Sequence, residues 1–141
     1  MPTVLKEAKT KIEYETVGDG DTLIHTKRGA KTIIQQMEEE WPQMTAEFRR
    51  LQREQYELFL HKQHDYGPGN ISVGTQLQTP AEIKLSLTGL WFRINDKVQR
   101  VKTLLLNNRE SAVDEPLEDA FLDMSNYGIM ATIVKNGKWG K

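Results

Sequence analysis

Two charged segments with helical spacing constrain the fold of this chain more than any other feature. In the first segment, four side chains share one helical face because they recur every three or four residues: Arg93, Asp96, Lys97 and Arg100. In the second, four polar side chains lie about one turn apart: Glu115, Asp119, Asp123 and Asn126. A short polar turn over residues 107–113 separates the two. The sequence therefore predicts an antiparallel helical hairpin with opposed charges on its inner faces.

The register of this hairpin leaves two interpretations open. With the turn near residue 110, Asp96 lies near the level of Asp123, and Arg100 near Asp119. Three carboxylates within two turns repel one another unless a cation lies between them, which favours a divalent metal ion beside a polyphosphate. The alternative is a pair of ordinary interhelical salt bridges, Asp119 with Arg100 and Asp123 with Lys97.

Hydrophobic spacing and helix-start signals predict an all-α fold, a helical bundle. The predicted helices cover residues 30–40, 42–64, about 80–106, and from 115 or 116 to 135. Thr79, Pro80 and Glu82 supply the N-cap, N1 and N3 residues of the third helix. Gly137 is the expected C′ residue of the last.

Residues 1–28 lack a helical period, and we predict a short N-terminal arm there, followed by an α-helical domain over residues 29–141. The sequence of residues 18–21 predicts a turn, and in the segments on either side apolar and polar residues alternate weakly, as in strands. The arm is therefore expected either to form a hairpin or to extend along a neighbouring subunit.

The predicted buried face of the last helix is apolar: Leu117, Phe121, Met124, Gly128 and Ala131. Trp91 and Phe92 are predicted to lie in the core.

Charge and composition exclude several classes of protein. The 141 residues carry 19 basic and 20 acidic side chains, a net charge of -1, which favours neither nucleic acid nor a membrane surface as a partner. The absence of cysteine excludes disulfides and thiolate sites. No apolar run reaches the length of a membrane span. We expect a soluble cytoplasmic protein whose polar helices complete their burial by oligomerisation.

A second candidate site lies at the end of the first long helix. Glu54 and Glu57 share one helical face, and Lys62 and a glycine-containing turn over residues 65–70 follow them. Backbone N–H groups in such a turn can bind phosphate. The alternative is a pair of solvated carboxylates before a helix terminator.

A His-Asp doublet, His64-Asp65, raises a third possibility. HD-type phosphohydrolases use such a doublet with an upstream histidine, here His25, and a downstream aspartate, here Asp114 or Asp123. Solvated helix residues are the simpler interpretation of the doublet.

Three motifs occur in order: Lys62-x-x-Asp65-Tyr66-Gly67, Gly89-Leu90-x-x-Arg93-x-x-Asp96-Lys97-x-x-Arg100, and Glu118-Asp119-x-x-x-Asp123-x-x-Asn126-Tyr127. Together they resemble a phage-borne family called nucleotide modification associated domain 1, which is similar to the MazG-like all-α nucleoside triphosphate pyrophosphohydrolases. The resemblance covers about residues 45–135.

This resemblance implies a helical bundle that forms a homo-oligomer, a dimer or tetramer, and binds two or more Mg²⁺ or Mn²⁺ ions. The implied reaction converts a (deoxy)nucleoside triphosphate to the monophosphate and pyrophosphate. Purine substrates, dGTP or dATP, are implied by the family's association with modified phage DNA, and the host cytoplasm by its phage origin. A non-catalytic nucleotide-binding or assembly subunit is the alternative of a different class.

The resemblance also assigns roles to residues. Glu57 and Asp123 are the implied catalytic residues. The implied metal ligands are Glu54, Glu57, Asp119 and Asp123, to which the hairpin register adds Asp96. The implied phosphate-binding residues are Lys62, Arg93, Lys97 and Arg100. Contacts to base or sugar are implied for Asp65, Tyr66, Asn126 and Tyr127, together with the loop over residues 65–70.

Overall fold

The computed structural model of the chain describes residues 14–18, 23–27 and 30–141. The chain divides into two compact units, Met1–Gln52 and Arg53–Lys141. No helix in the described ranges is both long enough and apolar enough to cross a membrane.

The first unit contains the predicted hairpin. Strands β1 (Tyr14–Gly18) and β2 (Leu23–Lys27) pair antiparallel, with Tyr14 opposite Lys27. This pairing confirms the hairpin form of the arm, while residues 19–21 of the predicted turn lie outside the described residues.

Two helices follow, α1 (Ile33–Glu40) and α2 (Pro42–Tyr66). Thr32 begins α1 with a capping box, because its hydroxyl accepts from the Gln35 N–H and the Gln35 side chain accepts from the Thr32 N–H. Trp41 lies between the helices, as the Trp-Pro pair predicts. The second unit begins within α2.

The second unit adds α3 (Gly69–Ser72), α4 (Pro80–Val101) and α5 (Leu117–Lys135). The predicted capping box at the start of α4 is confirmed: the Thr79 hydroxyl accepts from the Glu82 N–H at 3.2 Å, and the Glu82 carboxylate accepts from the Thr79 N–H at 3.0 Å. The last five residues of the predicted helix form a π-helical turn, Lys102–Leu106.

Helix α5 ends as predicted. The Gly137 N–H donates to the Val134 carbonyl and the Lys138 N–H to the Ile133 carbonyl, both at 3.1 Å, with Gly137 at φ +71°. These two bonds and the left-handed glycine make a Schellman motif, which reverses the chain direction after the helix.

The core of the second unit lies between α3, α4, α5 and the C-terminal tail. Its buried apolar residues are Ile71, Leu90, Met130, Val134 and Trp139. The all-α bundle predicted from the hydrophobic spacing is therefore confirmed.

Two predictions about burial are wrong. The buried residues of α5 are Ala120, Asp123, Asn126, Met130 and Val134, whereas Phe121 is 46% exposed. Trp91 and Phe92 are also on the surface, 59% and 58% exposed. Tertiary polar partners explain the α5 result, because Asp123 and Asn126 bind side chains and backbone of α2 and α4 and so turn their face inward.

The hydroxyl of Ser86 links α4 to α3. Ser86 is fully buried and donates to the Ile71 carbonyl at 2.6 Å. Ile71 is itself 2% exposed, so this bond satisfies a carbonyl that water cannot reach.

We expect Ser86→Ala to lower the free energy of unfolding by about 1–3 kcal/mol, because the buried Ile71 carbonyl would lose its partner. Thr88→Ala is the matched control: Thr88 is exposed and its hydroxyl donates to the Lys84 carbonyl of the same helix. The control should change the free energy by no more than about 0.5 kcal/mol. Denaturant unfolding measures both, and equal losses would contradict the role given to Ser86.

Candidate functional site

A cavity of about 260 Å³ lies in the second unit where α2, α3, α4 and α5 meet. Six of the predicted site residues line it: Lys62, Tyr66, Arg93, Asp123, Asn126 and Tyr127. Asn70, from the predicted loop over residues 65–70, lines it as well. Residues that are far apart in sequence thus form one wall with cationic, anionic, amide and aromatic groups.

Asp123 is the buried charge of this cavity. Its carboxylate lies 2.9 Å from the Lys97 ammonium and 3.5 Å from the Lys62 ammonium. The residue is 9% exposed, and both lysines offset the cost of removing its charge from water. The hydrogen bond to Asp123 raises the pKa of Lys97 above its usual range. Lys97 therefore remains an ammonium at neutral pH.

The Lys97–Asp123 pair is one of the two salt bridges in the alternative interpretation of the hairpin. The other, between Arg100 and Asp119, is wrong. Arg100 instead lies 3.9 Å from the Glu115 carboxylate and donates to the carbonyls of Glu115 and Pro116 at 2.6 and 3.3 Å. Arg100 thereby connects the end of α4 to the start of α5, away from the cavity wall.

Arg93 provides a third cation at the cavity. Its guanidinium donates to the Asn70 side-chain oxygen at 2.9 Å. Asn70 belongs to the short helix α3, so this bond fixes the guanidinium against the turn that forms one side of the cavity. A guanidinium has further N–H donors, which can bind phosphate oxygens in pairs.

Aromatic and amide side chains also line the wall, together with Ile71 and Met130. Tyr66 ends α2 and is 65% exposed, whereas Tyr127 and Phe59 are partly buried. Gln63 adds an amide beside them. Aromatic faces stack on bases, and amides hydrogen-bond to base edges.

Asn126 has a structural role that the sequence did not indicate. It donates to the Gln55 backbone carbonyl at 3.3 Å, and the Gln55 side chain donates to the Leu122 carbonyl at 3.4 Å. Asn126 and Gln55 are both buried, at 9% and 7% exposure. This reciprocal amide pairing connects α2 to α5 directly beside the cavity.

The other predicted carboxylate ligands do not meet Asp123. Glu54, Glu57, Asp96 and Asp119 are all exposed and do not line the cavity. Within residues 30–141, no group of three or more Asp, Glu or His side chains lies close enough to hold a metal ion. One chain therefore offers a single buried carboxylate at the cavity rather than the predicted cluster.

The His-Asp doublet also lies outside the cavity wall. The His64 ring nitrogen is 3.0 Å from the Asp65 carboxylate, and their side chains are 86% and 77% exposed. His25 lies in β2, where the structure describes no side chains. The described residues thus give the HD-type hypothesis no assembled site.

Two polar residues of the site were absent from the sequence prediction, as were the apolar residues Phe59, Ile71 and Met130 of the cavity wall. Gln63 lies next to Lys62 and lines the cavity, and Gln55 pairs with Asn126. The burial of Gln55 could have been predicted from its position, because it lies four residues after Leu51 and four before Phe59 on the apolar stripe of α2. A polar residue on such a stripe indicates a buried amide with a partner.

We expect the stability difference between the wild type and Asp123→Asn to disappear at alkaline pH. Because the folded pKa of Lys97 is raised, its pairing stabilises the fold fully below the unfolded value of about 10.4 and ceases to do so as the pH rises through the folded value. Denaturant unfolding between about pH 7 and pH 12 measures the difference. Glu110→Gln, on an exposed loop, is the control; a constant Asp123→Asn difference up to the highest pH would contradict the pairing.

Residues 62–134 match the protein family described as nucleotide modification associated domain 1. The match covers just over half of the chain and spans the whole set of cationic and carboxylate residues at the cavity. No curated protein and no solved structure matches the chain. The protein therefore belongs to the nucleotide modification associated domain 1 family.

Proposed function

We propose that this protein is a metal-dependent (deoxy)nucleoside triphosphate pyrophosphohydrolase, with dGTP or dATP as the preferred substrate. The observation that carries the proposal is the cavity in which Lys62, Arg93 and the Lys97–Asp123 pair lie beside aromatic and amide side chains. Membership of a nucleotide modification family supports the substrate class. The enzyme would adjust the nucleotide pool used for modified DNA, in the cytoplasm of the host cell.

The cations of the cavity match the polyphosphate. Lys62 from α2 and Arg93 from α4 line the cavity, and Lys97 from α4 binds the carboxylate of Asp123 in its wall. Lysine binds phosphate as a compact charge, and arginine binds two oxygens at once. Asp123 now occupies the position between the two ammonium groups, and incoming phosphate oxygens would compete with its carboxylate for them.

The uncharged side chains of the wall are suited to bind the nucleoside. Tyr66 and Tyr127 present aromatic surfaces, and Asn70 and Gln63 present amides. The volume of about 260 Å³ is slightly below the range of about 300–1,000 Å³ for pockets that enclose a ligand. A bound nucleotide would therefore project partly into solvent, and the exposed Tyr66 ring would cover the projecting part.

The proposed reaction is the attack of a water oxygen on the α-phosphorus. The bond from this phosphorus to the oxygen that bridges to the β-phosphorus breaks, which yields a monophosphate and pyrophosphate. Asp123 would accept the proton of the attacking water, and Lys62, Lys97 and Arg93 would neutralise the charge on the leaving pyrophosphate. Glu57, the other implied catalytic residue, does not line the cavity of one chain, so we give it no step.

Metal dependence remains part of the proposal. Mg²⁺ is commonly held by one or two carboxylates together with substrate phosphates and water, and Asp123 fits that role. A cluster of two or more ions on the five implied carboxylates does not fit the described residues of a single chain. When bound, Mg²⁺ or Mn²⁺ would supply charge neutralisation at the phosphates.

A non-catalytic nucleotide-binding subunit is the second candidate. The observation in its favour is that Asp123 already has two ammonium partners at 2.9 and 3.5 Å. In that case the carboxylate would serve only to hold α2, α4 and α5 together.

Incubation with each of the four dNTPs and Mg²⁺ or Mn²⁺, followed by chromatography of the products, tests the proposal. We expect monophosphate and pyrophosphate, fastest with a purine, and a rate lowered about 10²–10⁴-fold in Asp123→Asn. Glu110→Gln, on an exposed loop, is the matched carboxylate control and should retain the wild-type rate.

Three other outcomes would contradict the proposal, and each points to a different explanation. Nucleotide binding without turnover would support the non-catalytic candidate. Release of inorganic phosphate or triphosphate would support the HD-type reaction. Unchanged turnover in Asp123→Asn would remove Asp123 from the mechanism.

We also propose that the protein is a homo-oligomer, a dimer or tetramer. Large apolar side chains on α4 and α5 are exposed: Leu85 48%, Trp91 59%, Phe92 58%, Phe121 46% and Ile129 52%. Apolar surface of this kind commonly marks a protein–protein contact. We expect light scattering to give a dimer or tetramer mass that Phe92→Glu lowers; a monomeric wild type would contradict this proposal.

A further inference from the structure

The turn over residues 68–72 forms one side of the cavity and is held by three hydrogen bonds from other parts of the second unit. The Ser86 hydroxyl donates to Ile71 at 2.6 Å, and Arg93 donates to Asn70 at 2.9 Å. The third bond comes from the C-terminal tail: the Trp139 indole N–H donates to the Pro68 carbonyl at 3.0 Å. The same carbonyl accepts from the N–H groups of Ile71 and Ser72, both at 3.2 Å.

Trp139 lies outside the segment that matches the family, which ends at residue 134. The Schellman motif after α5 turns the tail back, and Trp139 is buried, with 8% of the residue exposed. Its ring packs edge-on against Phe59, with centroids 6.0 Å apart and planes at 62°. Phe59 itself lines the cavity.

The residue after Trp139 also contacts the turn. Gly140 has φ +71°, and a Cβ atom there would lie 3.2 Å from the Pro68 Cβ. The tail thus approaches Pro68 through both the indole N–H and the Gly140 backbone. Neither Trp139 nor Gly140 lines the cavity, so any effect on a bound ligand must pass through the turn or through Phe59.

We propose that Trp139 is a positioning residue for nucleotide binding. It fixes the Pro68 carbonyl and with it the start of α3, so that Asn70 holds the Arg93 guanidinium toward the phosphates. This inference rests on the proposed function, because it assigns Trp139 an effect on a bound nucleotide. It adds to the site a residue from the tail, outside the family segment, which acts through Asn70 without touching the ligand.

The test is a pair of matched tryptophan substitutions. Trp139→Phe keeps an aromatic ring against Phe59 and removes the indole N–H. Trp41→Phe is the control, since Trp41 is 51% exposed and lies between α1 and α2, outside the cavity wall. The probe is α,β-methylene dATP or α,β-methylene dGTP, which cannot be cleaved at the bond in question, and calorimetry gives its dissociation constant.

We expect Trp139→Phe to raise the dissociation constant about threefold to tenfold, the effect of one lost hydrogen bond, and Trp41→Phe to leave it unchanged. Gly140→Ala should raise it as well, because the new Cβ must displace Pro68. If Trp139→Phe does not fold, the dissociation constant of Gly140→Ala provides the test.

A double-mutant cycle with Asn70→Ala separates positioning from general stability. If Trp139 acts through Asn70, Trp139→Phe should have no further effect on binding in the Asn70→Ala background. An equal effect in both backgrounds, or a lowered melting temperature with unchanged binding, would overturn the inference alone. A wild-type protein that binds neither analogue would overturn the proposed function and this inference with it.

Discussion

The buried carboxylate of Asp123 is the interaction on which the site depends. A charge at 9% exposure needs compensation, and Lys97 from α4 and Lys62 from α2 supply it. These two ion pairs therefore connect α2, α4 and α5 around the cavity. They also determine the chemistry of the cavity, since the ammonium groups that neutralise Asp123 are the groups that phosphate oxygens would bind.

The same arrangement bears on the two interpretations of the charged hairpin. The hairpin was predicted either to bind metal and polyphosphate or to contain ordinary salt bridges. One of the two predicted salt bridges is present, Lys97 with Asp123, and its carboxylate lies in the cavity wall with Arg93 and Tyr127. An ion pair at such a position connects α4 to α5, and under the proposed function a polyanion would compete with Asp123 for the Lys97 ammonium. Arg100, by contrast, binds Glu115 and Pro116 and connects helix ends.

Sequence periodicity predicted which residues share a face, but it did not predict which face lies inward. The helices, the capping box at Thr79 and the level of Lys97 opposite Asp123 followed from spacing and local signals alone. The buried face of α5 did not, because buried partners on α2 and α4 favour the polar face over the one with Phe121. Glu54 shows the same limit: it precedes the buried Gln55, and a step of one residue rotates a side chain about 100° around the helix. The contact of Trp139 with Pro68, 71 residues apart in sequence, has no local signal at all.

The phosphorus atom that water attacks distinguishes the proposed reaction from other hydrolyses of a nucleoside triphosphate. The most direct measurement is hydrolysis of the preferred dNTP in heavy-oxygen water, with mass spectrometry of both products. Attack at the α-phosphorus beside Asp123 predicts that the heavy oxygen appears in the monophosphate. Label in the pyrophosphate, or no cleavage of any dNTP, would contradict the account.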